Sequence, residues 1–270
     1  MDVSIIIVNY NMLELCVNCL KSVYIKTKDL NYEIILIDNN SLNNEAGEIE
    51  KLFPEIKIIK NNENVGFGRA NNQGIEQACG KYIFCLNPDT LLVNNSIKIL
   101  YDFMENNPYC GACGGNLFDR DMNYSLSFGY GDSIISLLLR KTLLKYFFFK
   151  EFVKLKKYIK NTDRTKIHEV RHLTGADLML RKTVLDKVGL FNERFFMYFE
   201  ENELETRIRR AGYKIFFVPS SKIIHLEDKY RNNKHKSNFF KESCIEYYRV
   251  CYGEAWGEIA EFLINKKLFM

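Results

Sequence analysis

The chain has 270 residues, 47% apolar and 27% charged, proportions that suit a soluble globular protein with a substantial core, built as one large domain or one domain with an appendage. No window reaches the roughly 18 consecutive apolar residues that span a bilayer, and the chain opens on a strand-like run with no basic leader, so neither a transmembrane helix nor a signal peptide is expected. Net charge is only +4, and it is unevenly spread.

The first run, Val3-Ser-Ile-Ile-Ile-Val-Asn9, is rich in β-branched residues and does not alternate, which predicts a central parallel strand buried on both faces. A helical pattern follows from Met12 to about Tyr24, then a strand at Tyr32–Asp38, a helix at Asn44–Phe53 and a strand at Ile56–Lys60. Gly68–Cys79 reads as a helix and Lys81–Leu86 as a strand. Strands alternating with helices at this spacing predict a parallel α/β sheet. Ligands of such sheets bind beyond the carboxyl ends of the strands. Polar residues gather at those ends: Asn9 and Asn11, Asp38 to Ser41, Asn61 to Gly66, and Asn87 to Thr90. One Asn-rich turn is an ordinary loop; four at one edge point to a site.

Asp38 ends the second strand, where a dinucleotide fold keeps its ribose-binding acid, but the glycine-rich turn such a fold needs after the first strand is replaced by Asn9-Tyr-Asn-Met-Leu-Glu14. A dehydrogenase is therefore disfavoured. If a nucleotide binds, its pyrophosphate needs another counter-charge, and a metal is the obvious means. Asn87-Pro-Asp89 offers an amide oxygen and a carboxylate on one tight turn, a donor set suited to a hard cation whose shell substrate phosphates and water complete.

A helix is expected from Asn94 to about Asn106, and a small-residue strand or turn from Cys110 to Gly115. The texture then changes: residues 134–160 hold eight basic residues and one acidic one, interleaved with Leu, Phe and Tyr. That is the composition of an amphipathic helix in an anionic membrane interface, or of a flap whose apolar face packs on the domain. The membrane reading fails if deleting 134–160 leaves liposome binding unchanged. No single-strand-binding motif accompanies the basic residues, so no nucleic-acid partner is expected.

Glu169–Arg181 reads as a strand returning to the site with a Thr174-Gly-Ala bend in it, Thr183–Val188 as a short helix, and Lys214–Val218 as a last strand, with Pro219 leading into Ile223-Ile-His225. Phe239–Met270 reads as a terminal helical pair. Between these lies Phe196-Met-Tyr-Phe-Glu200-Glu201-Asn-Glu203-Leu-Glu205-Thr-Arg207, four carboxylates after an aromatic run. Asn202–Ala211 is expected to be helical, which puts Glu200 and Glu201 at its start, where backbone N–H groups favour negative charge. Glu203 with Arg207 and Glu205 with Arg209 have the spacing of surface ion pairs. Glu200 and Glu201 have no such local partner and are candidate general bases. Of the eight cysteines, Cys16/Cys19 and Cys110/Cys113 have the C-x-x-C spacing of zinc ligands. The first pair lies on the apolar stripe of a helix and about 90 residues separate the two, so buried free thiols are the better expectation.

Seven ordered motifs carry a resemblance: Ser4-Ile-Ile-Ile-Val-Asn-Tyr-Asn11, Ile37-Asp-Asn-Asn-Ser41, Asn64-Val-Gly-Phe-Gly-Arg-Ala-Asn-Asn-Gln-Gly74, Leu86-Asn-Pro-Asp-Thr90, Thr174-Gly-Ala, Val188-Gly-Leu-Phe-Asn-Glu-Arg-Phe-Phe-Met-Tyr-Phe-Glu-Glu201, and Ala211-Gly-Tyr. Across residues 1–228 the chain resembles the family 2 glycosyltransferases of GT-A fold, particularly their rhamnosyltransferase-like branch. The resemblance implies a nucleotide-binding half (1–93), an acceptor half (94–228) carrying the insertion 134–160, and a helical extension (229–270).

It further implies inverting transfer from a dTDP-, UDP- or GDP-linked sugar to a saccharide or polyprenyl-linked acceptor in surface polysaccharide assembly, in the cytoplasm and peripheral on the cell membrane. Asp38 would face the base, with Asn9 and Asn72 framing the nucleotide. Asn64, Gly66, Asn87, Gly175 and Arg207 would make further nucleotide-sugar contacts. Asp89 would hold Mg²⁺ or Mn²⁺, His225 would approach that metal or the diphosphate, and Glu201 would be the base. Glu201 stands where the family has aspartate, so the base can shift to Glu200 or Glu203, and Leu226-Glu227-Asp228 replaces the branch's small glycines. Two rival readings are a nucleotidyltransferase of related fold, which would need a basic loop after the first strand where Asn9 to Glu14 holds no basic residue, and a degenerate protein that binds nucleotide-sugar without turnover.

Overall fold

The computed structural model describes residues 1–129, 163–226 and 234–265; the basic segment 134–160 lies outside them. Strand β1 (Val3–Asn9) is buried along its whole length. Its alternate residues face two separate apolar layers. Ile5 and Ile7 pack with Cys16, Cys19 and Leu20, and Ile6 and Val8 with Ala70 and Ile75. That two-sided burial is why the run shows no polar alternation. Each such side chain contributes about 1.5–3 kcal/mol.

The first half continues with α1 (Leu13–Lys26), β2 (Tyr32–Asp38), α2 (Glu45–Leu52), β3 (Lys57–Lys60), α3 (Phe67–Glu76) and β4 (Tyr82–Leu86), as the alternation predicts. Then come β5 (Thr90–Leu92), α4 (Ser96–Asn106), β6 (Cys110–Phe118), β7 (Phe128–Gly129), β8 (His168–Val170), β9 (His172–Leu173) and β10 (Asp177–Arg181). The chain goes on through α5 (Lys182–Val188), α6 (Glu200–Arg210), β11 (Lys214–His225), α7 (Lys234–Tyr252) and α8 (Glu254–Asn265). The main sheet runs β3-β2-β1-β4-β10-β6-β11-β5, with β8 also on β11. Strands β3, β2, β1, β4, β6 and β11 point one way and β10, β5 and β8 the other, so the sheet is mostly parallel, as expected. The carboxyl ends of β1, β2, β4 and β11 therefore share one edge with the starts of β10 and β5. Asp177 lies opposite Leu86, and His225 opposite Thr90.

Two expectations are corrected. Glu169–Arg181 is three strands rather than one: β8 joins β11, β9 pairs with β7, and β10 enters the sheet centre. The Thr174–Ala176 bend is where the chain changes partner. Lys214–His225 is one strand rather than two runs parted by Pro219, and the ladder with β6 shifts register between Phe217 and Lys222. Proline lacks the N–H a regular ladder needs and is tolerated at such an irregularity.

The four C-x-x-C cysteines are free thiols buried in α1 and β6. The C-terminal pair α7–α8 does not stand apart. Its Cys244, Tyr247, Tyr248 and Leu263 form a cluster with Phe195, against which Phe199 packs.

Candidate active site

At the end of β1, the Asn9 side-chain nitrogen lies 3.3 Å from Asp38 Oδ1, 3.1 Å from Ser41 Oγ and 2.8 Å from Glu45 Oε2. Three acceptors around one NH₂ fix the amide's orientation, and they leave Asn9 Oδ1 buried without a hydrogen-bond partner. Glu45 also accepts the Met12 N–H at 3.1 Å, bracing the Asn9–Asp38 pair; nothing in its sequence setting singles it out. Beside them Asn39 donates to Asn64 Oδ1 (2.9 Å) and accepts from Val65 N (3.1 Å), and Gly66 N donates to Asn64 Oδ1 (3.0 Å). Gly66 has φ +87°, and a Cβ there would lie 2.5 Å from the Phe196 carbonyl oxygen. Only glycine fits both constraints. Asn64 and Gly66 thus shape the turn between β3 and α3 and dock it on the stretch before α6.

Asn72, expected to help frame the nucleotide, stands where α3 meets the loop after α5. Its amide donates to Phe191 O (2.9 Å) and accepts from Phe191 N (3.0 Å). It pins α3 to the loop after α5, and both its polar atoms are engaged there.

The Asn87–Asp89 turn is held from two sides. Asn87 N donates to Ala176 O at 3.0 Å, and Leu226 N donates to Asp89 O at 2.9 Å. His225, ending β11, brings Nε2 within 3.3 Å of Asp89 Oδ1 and 3.4 Å of Asn87 Nδ2. The sheet alone predicts this meeting, because β11 ends where β5 begins. Asn87 Oδ1 is buried with no hydrogen-bond partner. An amide oxygen lacking a partner, a carboxylate and an imidazole fit a divalent cation. Among the described residues no three His, Cys, Asp or Glu side chains are grouped as a metal cage, so most of the shell would come from substrate oxygens and water. Asp177, which no local pattern in the sequence marks, stands at the same sheet edge, opposite Leu86. It is fully buried at the start of β10, accepts Gly115 N at 2.6 Å and leaves Oδ1 without a partner. Burial pushes its carboxyl up to about 7.

Helix α6 starts at Glu200, directly after Tyr198 (φ 73°) and Phe199 (φ 66°). Two consecutive aromatic residues in the left-handed region are costly, on the order of 1–3 kcal/mol each. Surrounding packing holds them: Phe199 against Phe240 and Tyr247, and Met197 O bonded by Ser243 Oγ at 2.7 Å. The two glutamates that follow differ sharply. Glu200 is buried against Gly68, where a Cβ would come 3.5 Å from its own Cβ. Burial, and then the charge of Glu201, pushes it well above the ordinary carboxylate range. Glu201 is half-buried, with its carboxyl carbon 3.8 Å from where a Cβ on Gly175 would sit. A Cβ at 175 would reach ordinary van der Waals contact with that carboxylate, so the glycine leaves the space beside it open.

Glu203 is not a surface partner of Arg207 but a buried one. Arg207 Nε donates to both its oxygens (2.8 and 3.0 Å), and the remaining guanidinium nitrogens reach the carbonyls of Val188, Gly189 and Leu190. Glu203 is thereby committed as a counter-ion and Arg207 as a clamp on the α5–α6 connection. Glu205 is fully buried and accepts Leu173 N at 3.1 Å, so it too is no surface residue. The Thr174–Ala176 bend joins the two halves of the site: Ala176 holds the Asn87 turn, and Gly175 faces Glu201.

The model of the family described as "Glycosyl transferase family 2" matches residues 4–189, well over half of the chain. The chain belongs to that family. It is 26% identical over 203 residues to the N-acetylglucosaminyl-diphospho-decaprenol L-rhamnosyltransferase of Mycobacterium tuberculosis, covering 71% of this chain and 66% of that protein. It is also 26% identical over 221 residues to the low-salt glycan biosynthesis hexosyltransferase Agl10 of Haloferax volcanii, covering 79% and 64%. The chain thus spans about two thirds of the length of these relatives. Its fold is GT-A. The mannosyltransferase PcManGT of Pyrobaculum calidifontis, solved with GDP-Man and Mn²⁺, superposes with TM-score 0.64 at 14% identity over 93% of this chain and 64% of that one. S. aureus TarS 1–349 with UDP-GlcNAc gives 0.63 at 15% identity over 93% and 65%. No helix among the described residues is long and apolar enough to cross a membrane.

Proposed function

We propose that this family 2 glycosyltransferase performs an inverting, metal-assisted transfer of a sugar from a nucleoside-diphosphate donor to a saccharide or polyprenyl-linked acceptor. Glu201 is the base, and Asp89, His225 and Asn87 are the metal-side residues. The observation that carries this reading is the Thr174–Ala176 bend. Its Ala176 carbonyl holds the Asn87–Asp89 turn, and its side-chain-free Gly175 leaves room beside the Glu201 carboxylate. Base and diphosphate end are thus set by one piece of backbone.

In the reaction Glu201 takes the proton of the acceptor hydroxyl as its oxygen attacks the anomeric carbon. The bond from that carbon to the donor phosphate oxygen breaks, and its electron pair leaves with the nucleoside diphosphate. One displacement inverts the anomeric configuration and needs no second carboxylate as nucleophile. A bound Mg²⁺ or Mn²⁺ supplies charge neutralisation for the departing diphosphate. Asp38, oriented through Asn9, receives the nucleoside, and Asn64 and Gly66 shape the adjoining turn. The M. tuberculosis relative supports rhamnose as donor sugar and a polyprenyl-linked acceptor as candidates, and the solved neighbours support UDP- and GDP-sugars in a fold of this kind.

The test is release of nucleoside diphosphate from a panel of dTDP-, UDP- and GDP-sugars with Mn²⁺ or with EDTA. The reading expects one donor to be turned over and EDTA to abolish release. Undiminished release in EDTA contradicts the metal assignment, and neither binding nor release of any donor contradicts the transferase.

A further inference from the structure

A cleft of about 620 Å³ opens between the loop before α6 and the two C-terminal helices, the size range of small-ligand sites. The family model ends at residue 189, so every residue lining this cleft lies beyond the stretch it describes. Phe196 and Phe239 line it with ring centroids 4.9 Å apart, and Glu242, Glu246, Glu261, Arg194 and Arg249 are its charged residues. Glu246 joins the two arginines, with one oxygen 2.5 Å from Arg194 and the other 3.1 Å from Arg249. The polar wall is therefore ordered rather than a loose array of surface side chains.

Phe196 ties the cleft to the candidate active site. Its carbonyl accepts Phe67 N at 2.9 Å and abuts Gly66, in the turn shaped by Asn64. Its ring is on the cleft, and the strained Tyr198–Phe199 pair and Glu200–Glu201 follow at once. Phe67 in turn lies at Gly175, with its ring 3.6 Å and the Glu201 carboxyl carbon 3.8 Å from where a Cβ there would sit, so Phe67 and Gly175 link the cleft to the candidate base.

We infer that this cleft is the acceptor subsite and that it receives a neutral pyranose ring, an inference that rests on the transferase reading above. Two guanidiniums (Arg194, Arg249) face three carboxylates (Glu242, Glu246, Glu261), a balance that does not attract phosphate or a polyanion. The Phe196 ring, exposed, and the Phe239 ring, half-buried, offer flat faces to the C–H side of a sugar. Interleaved carboxylates and guanidiniums offer acceptors and donors to its hydroxyl pairs. The diphosphate of a lipid-linked acceptor would then lie outside the cleft.

The test uses saturation-transfer-difference NMR on the full chain, with octyl glucoside, octyl galactoside and octyl N-acetylglucosaminide as probes. Phe239→Ala and Glu242→Gln serve as variants, their folds checked by circular dichroism. The expected result is saturation of ring protons for at least one glycoside, falling fivefold or more in Phe239→Ala and measurably in Glu242→Gln. Saturation confined to the octyl chain, ring signals unchanged in both variants, or no signal from any probe overturns the subsite. Titration of UDP, GDP and dTDP with Mn²⁺ into the wild-type chain separates the two readings. Nucleotide binding with no sugar contact removes the subsite alone, and absence of both removes the transferase reading as well.

Discussion

Burial, and then the charge of Glu201, push the Glu200 carboxyl well above the ordinary carboxylate range, and the side chain packs against Gly68. Glutamine reproduces that shape and polarity, so Glu200→Gln should keep kcat within about tenfold of wild type in the donor-release assay. Asp177 is a second acid shifted upward, from an ordinary 3.8 to about 7 by burial. Its folded value exceeds its unfolded one, so its contribution to stability is fully present below about pH 4 and is lost as pH rises toward 7. The penalty at pH 8 is on the order of 4 kcal/mol at most. Thermal unfolding in EDTA should show Tm falling between pH 5 and pH 8, and Asp177→Asn should flatten that slope; an unchanged slope would rule Asp177 out as its source. At this scale the sequence marked as candidates residues that stand in polar or acidic turns: Asp38, Asn87, Asp89 and the Glu200–Glu201 pair. It did not reveal Asp177 or Glu45, because each acts on a partner 30 or more positions away, Gly115 and Asn9, and their neighbours in the chain are unremarkable.

Among the elements, α6 shows where local pattern misleads. The spacing of Glu203 and Arg207 is that of a solvent-exposed pair worth a few tenths of a kcal/mol, yet Glu203 is buried and Arg207 clamps three carbonyls of the α5–α6 connection. Burial of a helix face depends on what packs over it, and that packing comes from α5 and α7. Arg207→Met should leave the Glu203 carboxylate buried and unpaired and destabilise the fold by about 3–5 kcal/mol. The donor KM of the remaining folded enzyme should stay near wild type. A raised KM with unchanged Tm would restore Arg207 as a nucleotide-sugar contact. The parallel first half was legible because strands buried on both faces and Asn-rich ends leave strong local signals. The division of Glu169–Arg181 into three strands was not, since which strand each piece joins is a long-range choice.

Across the whole molecule, the C-terminal helices brace the start of α6. Tyr247 is fully buried, packs against Phe199 and lies within hydrogen-bond distance of Thr206. Tyr247→Ala should cost about 3–5 kcal/mol. It should also lower kcat by releasing the strained Tyr198–Phe199 pair, and full activity in a destabilised variant would show that the brace does not set the base. The account's central claim is that Glu201, set by the Thr174–Ala176 bend and α6, removes the acceptor's proton. The most direct measurement compares nucleoside-diphosphate release by wild type and Glu201→Gln with the preferred donor and Mn²⁺. The account predicts a fall of about 10²–10⁴ in kcat with nucleotide affinity unchanged; turnover near wild type in Glu201→Gln would contradict it.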